Sequence, residues 1–396
     1  MSPLPPSTMN AALDEELRAL DMAGLKRSLR QVHQRRAGTV RLNDERVADF
    51  ASNDYLGLAA DPRVADAARA VLQTEGTGAA AARLISGNHP LHESLEYALA
   101  RLKGCDRTLL FPSGYMVNVG AIPALADRGD VIYSDALNHA SLIDGCRLSH
   151  ATVRVFPHND LAALEQMLER ERHQYRRALI VVEGVFSMDG DCCPLDQLVP
   201  IARRHQAWTY VDDAHGTGVL GATGAGSLEH FGVSGQIDVV VGTLGKALGT
   251  AGAYVGGSRE LVEFLVTRAR SFIFTTGSPP AMAAATLEAL RIAQSEGWRR
   301  EAVRERARHV RTRLREAGFT PTGDDDSHIV PLVVGDPART MAMVTDLHHR
   351  GFLVGGVRPP TVPAGTSRLR LSMSAVHPLE LVDALATTLI ERLHGS

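Results

Sequence analysis

The sequence predicts an α/β protein whose main sheet is mostly parallel and carries helices on both faces. Short apolar runs rich in Val, Ile and Leu recur between about residues 51 and 278, and helical patterns separate most of them. Strands buried on both faces have this composition, and their alternation with helices is typical of βα units. A change of composition beyond an Arg/Glu/Ala-rich helix at about residues 281–317 predicts a smaller α+β domain.

The predicted elements follow in chain order. An amphipathic segment at about 11–32 precedes a short strand at 47–52, and the large sheet then takes strands at 108–111, 131–134, 153–156, 179–183, 208–212, 239–243 and 253–256. Beyond residue 317 we expect helices near Thr340 and Pro378 and strands at 329–334, 352–357 and 369–373. The chain therefore divides into an N-terminal helix and arm (1–50), a large domain (51–280) and a small C-terminal domain (281–396).

Composition limits the classes of partner. A formal net charge of −3 gives no reason to expect nucleic acid or an anionic membrane surface as a partner. No run of 18 apolar residues occurs, and the first residues lack the charged and apolar regions of a signal peptide. The four cysteines show no CxxC spacing and are interpreted as plain thiols. We therefore expect a cytoplasmic protein that binds neither nucleic acid nor a membrane.

Only three of the 42 basic residues are lysines, and Lys246 has unusual surroundings. It follows the apolar run 239–243 among glycines, whereas Lys26 and Lys103 stand in polar helical patterns and are predicted to lie on the surface. A buried lysine can lose its proton and form a Schiff base, which an arginine cannot do. The alternative is a structural lysine that extends from a strand end into the solvent.

Polar residues gather at the carboxyl ends of the predicted strands. Glu183, Asp212 and Thr243 each end an apolar run, and His215 follows three residues after Asp212. Ligands of such sheets bind outside these strand ends, so one crevice is expected to hold all four side chains. Taken singly, each has a structural alternative, such as a helix cap or a core histidine. A metal site at Asp212, Asp213 and His215 is disfavoured because neighbouring strand residues point to opposite faces.

The turn at residues 112–114 predicts an anion site. It joins the strand 108–111 to a helix that begins near Tyr115, and the exposed N–H groups and positive end of such a helix bind anions. The alternative is a simple turn and N-cap. No P-loop, dinucleotide fingerprint or nucleophile elbow is present in the sequence. A Schiff-base lysine, an anion-binding helix end and a strand-terminal aspartate together describe a site for pyridoxal 5'-phosphate (PLP).

The chain resembles the α-oxoamine synthases over nearly its whole length. The resemblance is carried by SNDYLGL at 52–58, RLISGNH at 83–89, NHASL at 138–142, EGVFSMDGD at 183–191, DDAHGTG at 212–218 and TLGKALG at 243–249. These are fold-type I PLP-dependent enzymes that join an amino acid to an acyl-CoA and release carbon dioxide. RPPTVPAGTSRLRL at 358–371 is most similar to the branch that uses L-alanine and a pimeloyl thioester.

The resemblance implies three catalytic residues. Lys246 would carry the cofactor and later act as the base at the amino-acid Cα. Asp212 would pair with the pyridine N–H, and His139 would stack on the ring.

Further cofactor contacts follow from the same resemblance. His215 and Ser187 would bond near the phenolic oxygen of the ring. The backbone of Gly114 and Tyr115 and the Thr243 hydroxyl would hold the cofactor or its phosphate.

The resemblance also implies substrate contacts and an assembly. Arg370, assisted by Asn53, would bind the alanine carboxylate as a fork that lysine cannot copy. Arg27 and Thr361 match positions that bind the acyl substrate. Thr276 lies in a segment that reaches the phosphate of a neighbouring subunit, which implies a homodimer with shared sites.

Two departures and two alternatives remain. The stretch before Arg83 reads as four alanines, 79–82, where the family is glycine-rich, and Arg30 and Arg35 lie close to Arg27. A glycine-using acetyltransferase of the same family is the alternative enzyme. A PLP-binding module without catalysis is disfavoured because no DNA-binding domain is appended and Arg370 is retained.

Overall fold

The structure is a computed structural model that describes residues 8–394. Its N-terminal part is an exposed helix followed by three short strands. Helix α1 (Thr8–Met22) buries none of its side chains. Strands β1 (Val32–Arg36), β2 (Thr39–Leu42) and β3 (Glu45–Phe50) pair antiparallel in succession. The predicted amphipathic segment is therefore too long at its C-terminal end. The chain leaves the helix through Gly24, whose φ of +65° favours glycine and ends helices.

The large sheet has seven strands, as predicted. They are β4 (Arg107–Phe111), β5 (Val131–Asp135), β6 (Thr152–Phe156), β7 (Ala178–Glu183), β8 (Trp208–Asp212), β9 (Val239–Thr243) and β10 (Ala253–Gly257). Their spatial order is β4-β10-β9-β8-β7-β5-β6, and β10 alone runs opposite to the other six strands. The prediction of a mostly parallel sheet is confirmed. The carboxyl ends of the six strands that share one direction therefore lie along one edge.

Helices cover both faces of this sheet. They are α2 (Pro62–Glu75), α3 (Pro90–Lys103), α4 (Gly114–Leu125), α5 (Ala140–Leu148), α6 (Leu161–Glu171), α7 (Leu195–Arg204), α8 (Ser227–His230), α9 (Arg259–Arg268) and α10 (Arg270–Ile273), with a 3-10 turn at Arg172–Gln174. Ile180 and Val182 pack against the α6 and α7 side, whereas Leu179 and Val181 pack against the α4 side. This alternation explains why the strand reads as a continuous apolar run.

The C-terminal part forms a second layer of helices and strands. Its elements are α11 (Pro280–Ser295), α12 (Trp298–Glu316), β11 (Ile329–Gly335), α13 (Pro337–His349), β12 (Phe352–Val357), β13 (Ser367–Ser372) and α14 (Leu379–His394). The single long helix predicted at 281–317 is wrong, because it breaks at Glu296 and Gly297. Glycine is a poor helix former, and Glu296 leaves helical geometry with φ −106° and ψ 63°.

The second sheet brings together both ends of the chain. Its order is β1-β2-β3-β12-β13-β11, and β3 pairs parallel to β12. The residues that follow β3 are consequently held close to β13, where Arg370 lies. Within residues 8–394, no helix is long and apolar enough to cross a membrane.

Lys103 is buried, so its predicted surface position is wrong. It ends α3, and its Nζ atom reaches Oδ2 of Asp213 and the carbonyl oxygen of Ala225, each at 2.5 Å. The sequence around Lys103 is typical of a solvent-exposed helix end. Its partner, the carboxylate of Asp213, is brought next to it only by the tertiary fold.

Candidate active site

Lys246 lies in the loop after β9, three residues beyond Thr243. The residue is partly buried, and its Nζ atom is 2.7 Å from Nε2 of His215. Burial lowers the pKa of the Lys246 amine to about 8, and the positive charge of Arg370 acts in the same direction. More of this amine is therefore neutral and nucleophilic near neutral pH than of a lysine with an ordinary pKa.

Two carboxyl groups face this amine from neighbouring strand ends. Glu183 of β7 pairs in register with Asp212 of β8. Asp212 accepts hydrogen bonds from Nδ2 of Asn118 at 2.8 Å and from the backbone N–H of Ala214 at 3.1 Å. Burial, followed by the negative charge of Asp212, raises the pKa of Glu183 to about 8. Glu183 is consequently mostly neutral at pH 7, and Asp212 is oriented by fixed donors.

His139 stands at the start of α5 and leaves its ring exposed. Its Nδ1 atom lies 2.8 Å from Oγ of Ser141 and accepts the backbone N–H of the same residue at 3.2 Å. Electrostatic interactions with Asp212 and Lys246 place it close to both groups. An exposed, anchored imidazole is suited to lie against a planar ring.

The predicted anion site is the beginning of α4. The helix starts at Gly114, and the Ser113 hydroxyl accepts a backbone N–H of the first turn at 3.3 Å. The N–H groups of Gly114 and Tyr115 belong to this first turn, whose donors lack acceptors within the helix. Gly114 approaches Ala253, which pairs with Thr243 across β10 and β9. The helix start, Thr243 and the loop of Lys246 therefore adjoin one another.

Arg370 projects from β13 and is buried. Its Nε atom donates to the Ser187 carbonyl oxygen at 2.6 Å, and its NH1 atom donates to Oδ1 of Asn53 at 3.2 Å and to Oγ of Ser372 at 2.7 Å. Within residues 8–394, Arg370 forms no ion pair with a carboxylate. A buried guanidinium held by neutral acceptors is suited to bind the carboxylate of a small ligand.

Arg27 and Thr361 lie together at a second cavity, of about 580 Å³. The NH2 atom of Arg27 donates to Oγ1 of Thr361 at 3.3 Å. Lys26, Arg30 and Arg358 also line the cavity together with one carboxylate, Asp21, so its net charge is positive. The structure brings this predicted pair together, at the point where β12 leads into the 358–366 loop.

Thr276 does not join these residues within one chain. It lies exposed between α10 and α11, in a segment where the Gly277 N–H donates to the carbonyl oxygen of Ala81 at 2.9 Å. The stretch of alanines, 79–82, is thus in contact with the Thr276 segment.

Two polar residues of the site were not singled out from the sequence. Tyr55 is fully buried, and its hydroxyl oxygen lies 2.6 Å from Nδ1 of His215. Asn118, also fully buried, holds Asp212. Asn118 is a polar residue in the otherwise apolar helix α4, and this contrast is the sequence signal that points to it. Tyr55 lies within the SNDYLGL motif at 52–58.

The residues present fit PLP. An amine with a lowered pKa, a carboxylate held at a strand end, an exposed imidazole and a helix N-terminus match its aldehyde, pyridine nitrogen, ring face and phosphate. One oxygen of Glu183, Oε1, is buried beside them and has no hydrogen-bond partner among the described residues. The donor set is thus one that PLP chemistry uses.

Comparison with known proteins agrees with this geometry. Residues 45–389 match the family described as aminotransferase class I and II. The 8-amino-7-oxononanoate synthase of Geobacter sulfurreducens is 49% identical over 372 residues, which cover 93% of this chain and 94% of that protein. The 8-amino-7-oxononanoate synthase of Methylococcus capsulatus is 48% identical over 344 residues, with 87% and 88% covered.

Solved structures give the same result. A serine palmitoyltransferase of Sphingomonas wittichii has a TM-score of 0.91 and 31% identity, with 99% of each chain covered. A variant of the enzyme from S. paucimobilis with a bound PLP–myriocin aldimine has a TM-score of 0.92 and 31% identity, covering 98% of this chain and 100% of that chain. The crystal structure of 8-amino-7-oxononanoate synthase from Francisella tularensis has a TM-score of 0.77 and 26% identity, covering 88% and 98%.

Proposed function

We propose, on the premise that the chain belongs to the class I and II aminotransferase family, that it catalyses the 8-amino-7-oxononanoate synthase reaction of biotin biosynthesis. L-Alanine condenses with a pimeloyl thioester, coenzyme A and carbon dioxide leave, and 8-amino-7-oxononanoate is formed. The predictions of a fold-type I enzyme and of PLP as its cofactor are confirmed by the family match and by relatives at 43–49% identity. The substrates and the assembly are proposals.

One observation carries the proposal: Arg370, a buried guanidinium that pairs with no carboxylate among residues 8–394, lies close to the reactive amine of Lys246. The positive charge of Arg370 contributes to the lowered pKa of Lys246, so the two groups lie within electrostatic reach. An amino acid held by its carboxylate at Arg370 and Asn53 would present its Cα to Lys246. Such fixed placement of reacting groups accelerates the chemical step.

The bound cofactor supplies an electron sink that stabilises negative charge at Cα. Lys246, whose pKa of about 8 leaves part of the amine neutral, accepts the Cα proton. Asp212 would hold the proton on the pyridine nitrogen of the bound cofactor, and the hydrogen bond from Asn118 keeps its carboxylate oriented. His139, anchored by Ser141, would lie against one face of the bound ring.

The acyl substrate is assigned to the basic cavity around Arg27 and Thr361. A pimeloyl chain ends in a carboxylate, and Arg370 is already engaged with the amino acid. The cavity offers four basic side chains and two hydroxyls against one carboxylate, that of Asp21. This set suits either the distal carboxylate of the pimeloyl chain or the phosphates of coenzyme A.

A homodimer with shared sites is part of the proposal. Large apolar side chains are exposed near Thr276, including Ile85 at 82% and Phe274 at 71%. Patches of this kind are common at subunit contacts. We also propose a cytoplasmic location, which the four free cysteines support.

The test is a product assay with four substrate pairs. The purified holoenzyme is given L-alanine or glycine, each with pimeloyl-CoA or acetyl-CoA, and the amino ketone is identified by mass spectrometry. We expect the highest kcat/KM with alanine and pimeloyl-CoA. A preference for glycine and acetyl-CoA would contradict the proposal and assign the chain to the glycine-using branch.

A further inference from the structure

A chain of three short hydrogen bonds leads from the carboxylate site to the reactive amine. The Tyr55 hydroxyl donates to Oδ1 of Asn53 at 2.8 Å, and its oxygen lies 2.6 Å from Nδ1 of His215. Nε2 of the same imidazole lies 2.7 Å from Nζ of Lys246. The donor and acceptor of each of these three hydrogen bonds follow from the number of protons on each group and from the charge of the His215 ring.

The count starts at Asn53. Its Oδ1 atom accepts from NH1 of Arg370, which can only donate, so this atom is the amide oxygen and not the nitrogen. The Tyr55 hydroxyl has one proton, and it is used in the bond to that oxygen. Towards His215 the Tyr55 oxygen must therefore accept, which requires a proton on Nδ1.

The other ring nitrogen follows from the charge of the imidazole. Burial, together with the positive charges of Lys246 and Arg370, lowers the pKa of His215 well below its usual value. The ring is therefore neutral and carries one proton, on Nδ1. Nε2 must then accept, and Lys246 donates to it. In this arrangement the lone pair of the neutral amine stays free for a substrate.

The opposite tautomer would be unproductive. An N–H group at Nε2 would donate to the neutral amine of Lys246 and occupy its lone pair. It would also disfavour the ammonium form of Lys246, because an ammonium group has no lone pair with which to accept a hydrogen bond. The partner of one histidine nitrogen commonly determines which nitrogen is protonated.

Tyr55 is rigidly placed for this role. Its ring is fully buried and meets the His328 ring edge-on, with the centroids 4.1 Å apart. Its backbone carbonyl oxygen accepts from the N–H of Ala375 at 2.7 Å, and NH2 of Arg370 donates to its hydroxyl at 3.3 Å. The Tyr55 oxygen therefore has two donors and one acceptor, as a hydroxyl allows.

We propose that Tyr55 is a positioning residue that fixes the Nδ1-protonated tautomer of His215 and thereby keeps Nε2 as the acceptor for Lys246. The inference rests on the proposed function only for the identity of Lys246 as the reacting amine. The titratable and charged groups that face Lys246 are Asp212, Glu183, Arg370, His139, His215 and His328.

The test is a direct titration of Lys246 in the full-length chain freed of cofactor. Because the sequence has three lysines, lysine labelled at the side chain gives three NMR signals, and Lys246→Arg identifies one of them. In Tyr55→Phe the buried Nδ1 proton loses its acceptor, so the ring changes tautomer and opposes the ammonium. We expect the midpoint of Lys246 to fall by about one pH unit.

The matched control is Tyr133→Phe. Tyr133 is equally buried, and its hydroxyl has no hydrogen-bond partner among the described residues, so the midpoint of Lys246 should not move. Asn53→Ala removes the far acceptor and should lower the same midpoint, which keeps the test decisive if Tyr55→Phe fails to fold. An unchanged or higher midpoint in the folded Tyr55 or Asn53 variant overturns the proposal. Product assays do not enter this measurement, so the proposed reaction can fail independently.

Discussion

The Nζ atom of Lys103 lies 2.5 Å from Oδ2 of Asp213, and both side chains are completely buried. Asp213 follows Asp212 directly, and its other oxygen accepts the backbone N–H of Ser227 at 3.1 Å. Asp213, the neighbour of the active-site residue Asp212, is thus held in place by the ammonium group of Lys103, which has no proposed role in the reaction. A buried pair of this kind is costly to break, because removal of one member leaves an uncompensated charge.

We expect Lys103→Met to lower the free energy of unfolding by about 3–5 kcal/mol. The cause is the isolated Asp213 carboxylate, so the double variant Lys103→Met/Asp213→Asn should recover part of the loss. Urea denaturation followed by circular dichroism measures both effects. Equal stability of the single and double variants would show that the ion pair is not the cause.

Lys246→Ala should abolish turnover and the absorbance near ~420 nm of a PLP enzyme whose cofactor is bonded to lysine. Lys246→Arg retains a positive charge at the same place but cannot form a Schiff base, and it should be equally inactive. Spectra and product assays of the two purified variants check this. Activity in the arginine variant would show that charge alone suffices.

Asp212→Asn should leave the fold largely intact and slow the exchange of the alanine Cα proton at least about 100-fold. A neutral amide cannot hold the pyridine proton by charge. Loss of deuterium from labelled alanine, followed by NMR, measures this step without the acyl substrate. Asp196→Asn, on the exposed side of α7, is the control with the same chemical change. A wild-type rate in Asp212→Asn would assign the role to another carboxylate.

The buried carboxyl of Glu183 predicts a pH dependence of stability. Its pKa in the folded chain is raised to about 8 from an ordinary value of 4.5, so the folded state favours the protonated form. The stabilisation is complete below pH 4.5 and is lost as the pH rises through about 8. Glu183→Gln cannot ionise, so its unfolding free energy relative to wild type should increase from pH 5 to pH 8. Denaturant titrations at both pH values test this, and a constant difference would contradict it.

Residues at strand ends could be predicted from the sequence, and pairings across the fold could not. Asp212, Thr243 and Lys246 stand beside long apolar runs, whose position in a parallel sheet determines where the next polar residue lies. Lys103 was placed wrongly because its partner, Asp213, is 110 residues away and helix periodicity does not reveal it. The break between α11 and α12 at Glu296 and Gly297 is not apparent from the sequence because the stretches on both sides are rich in Ala, Arg and Glu, which are strong helix formers.

The acyl site gives the final prediction. Arg27 is exposed at the basic cavity and contacts Thr361, and Lys246 is not among the residues that line this cavity. Arg27→Ala should therefore raise KM for pimeloyl-CoA about tenfold and leave KM for alanine nearly unchanged, since it removes binding away from the reacting carbon. Steady-state kinetics with each substrate varied in turn separates the two constants. Arg18→Ala, on exposed helix α1, is the control for loss of an N-terminal charge. A larger effect on alanine than on the thioester would assign Arg27 to the carboxylate site of Arg370 and leave the acyl group to other residues.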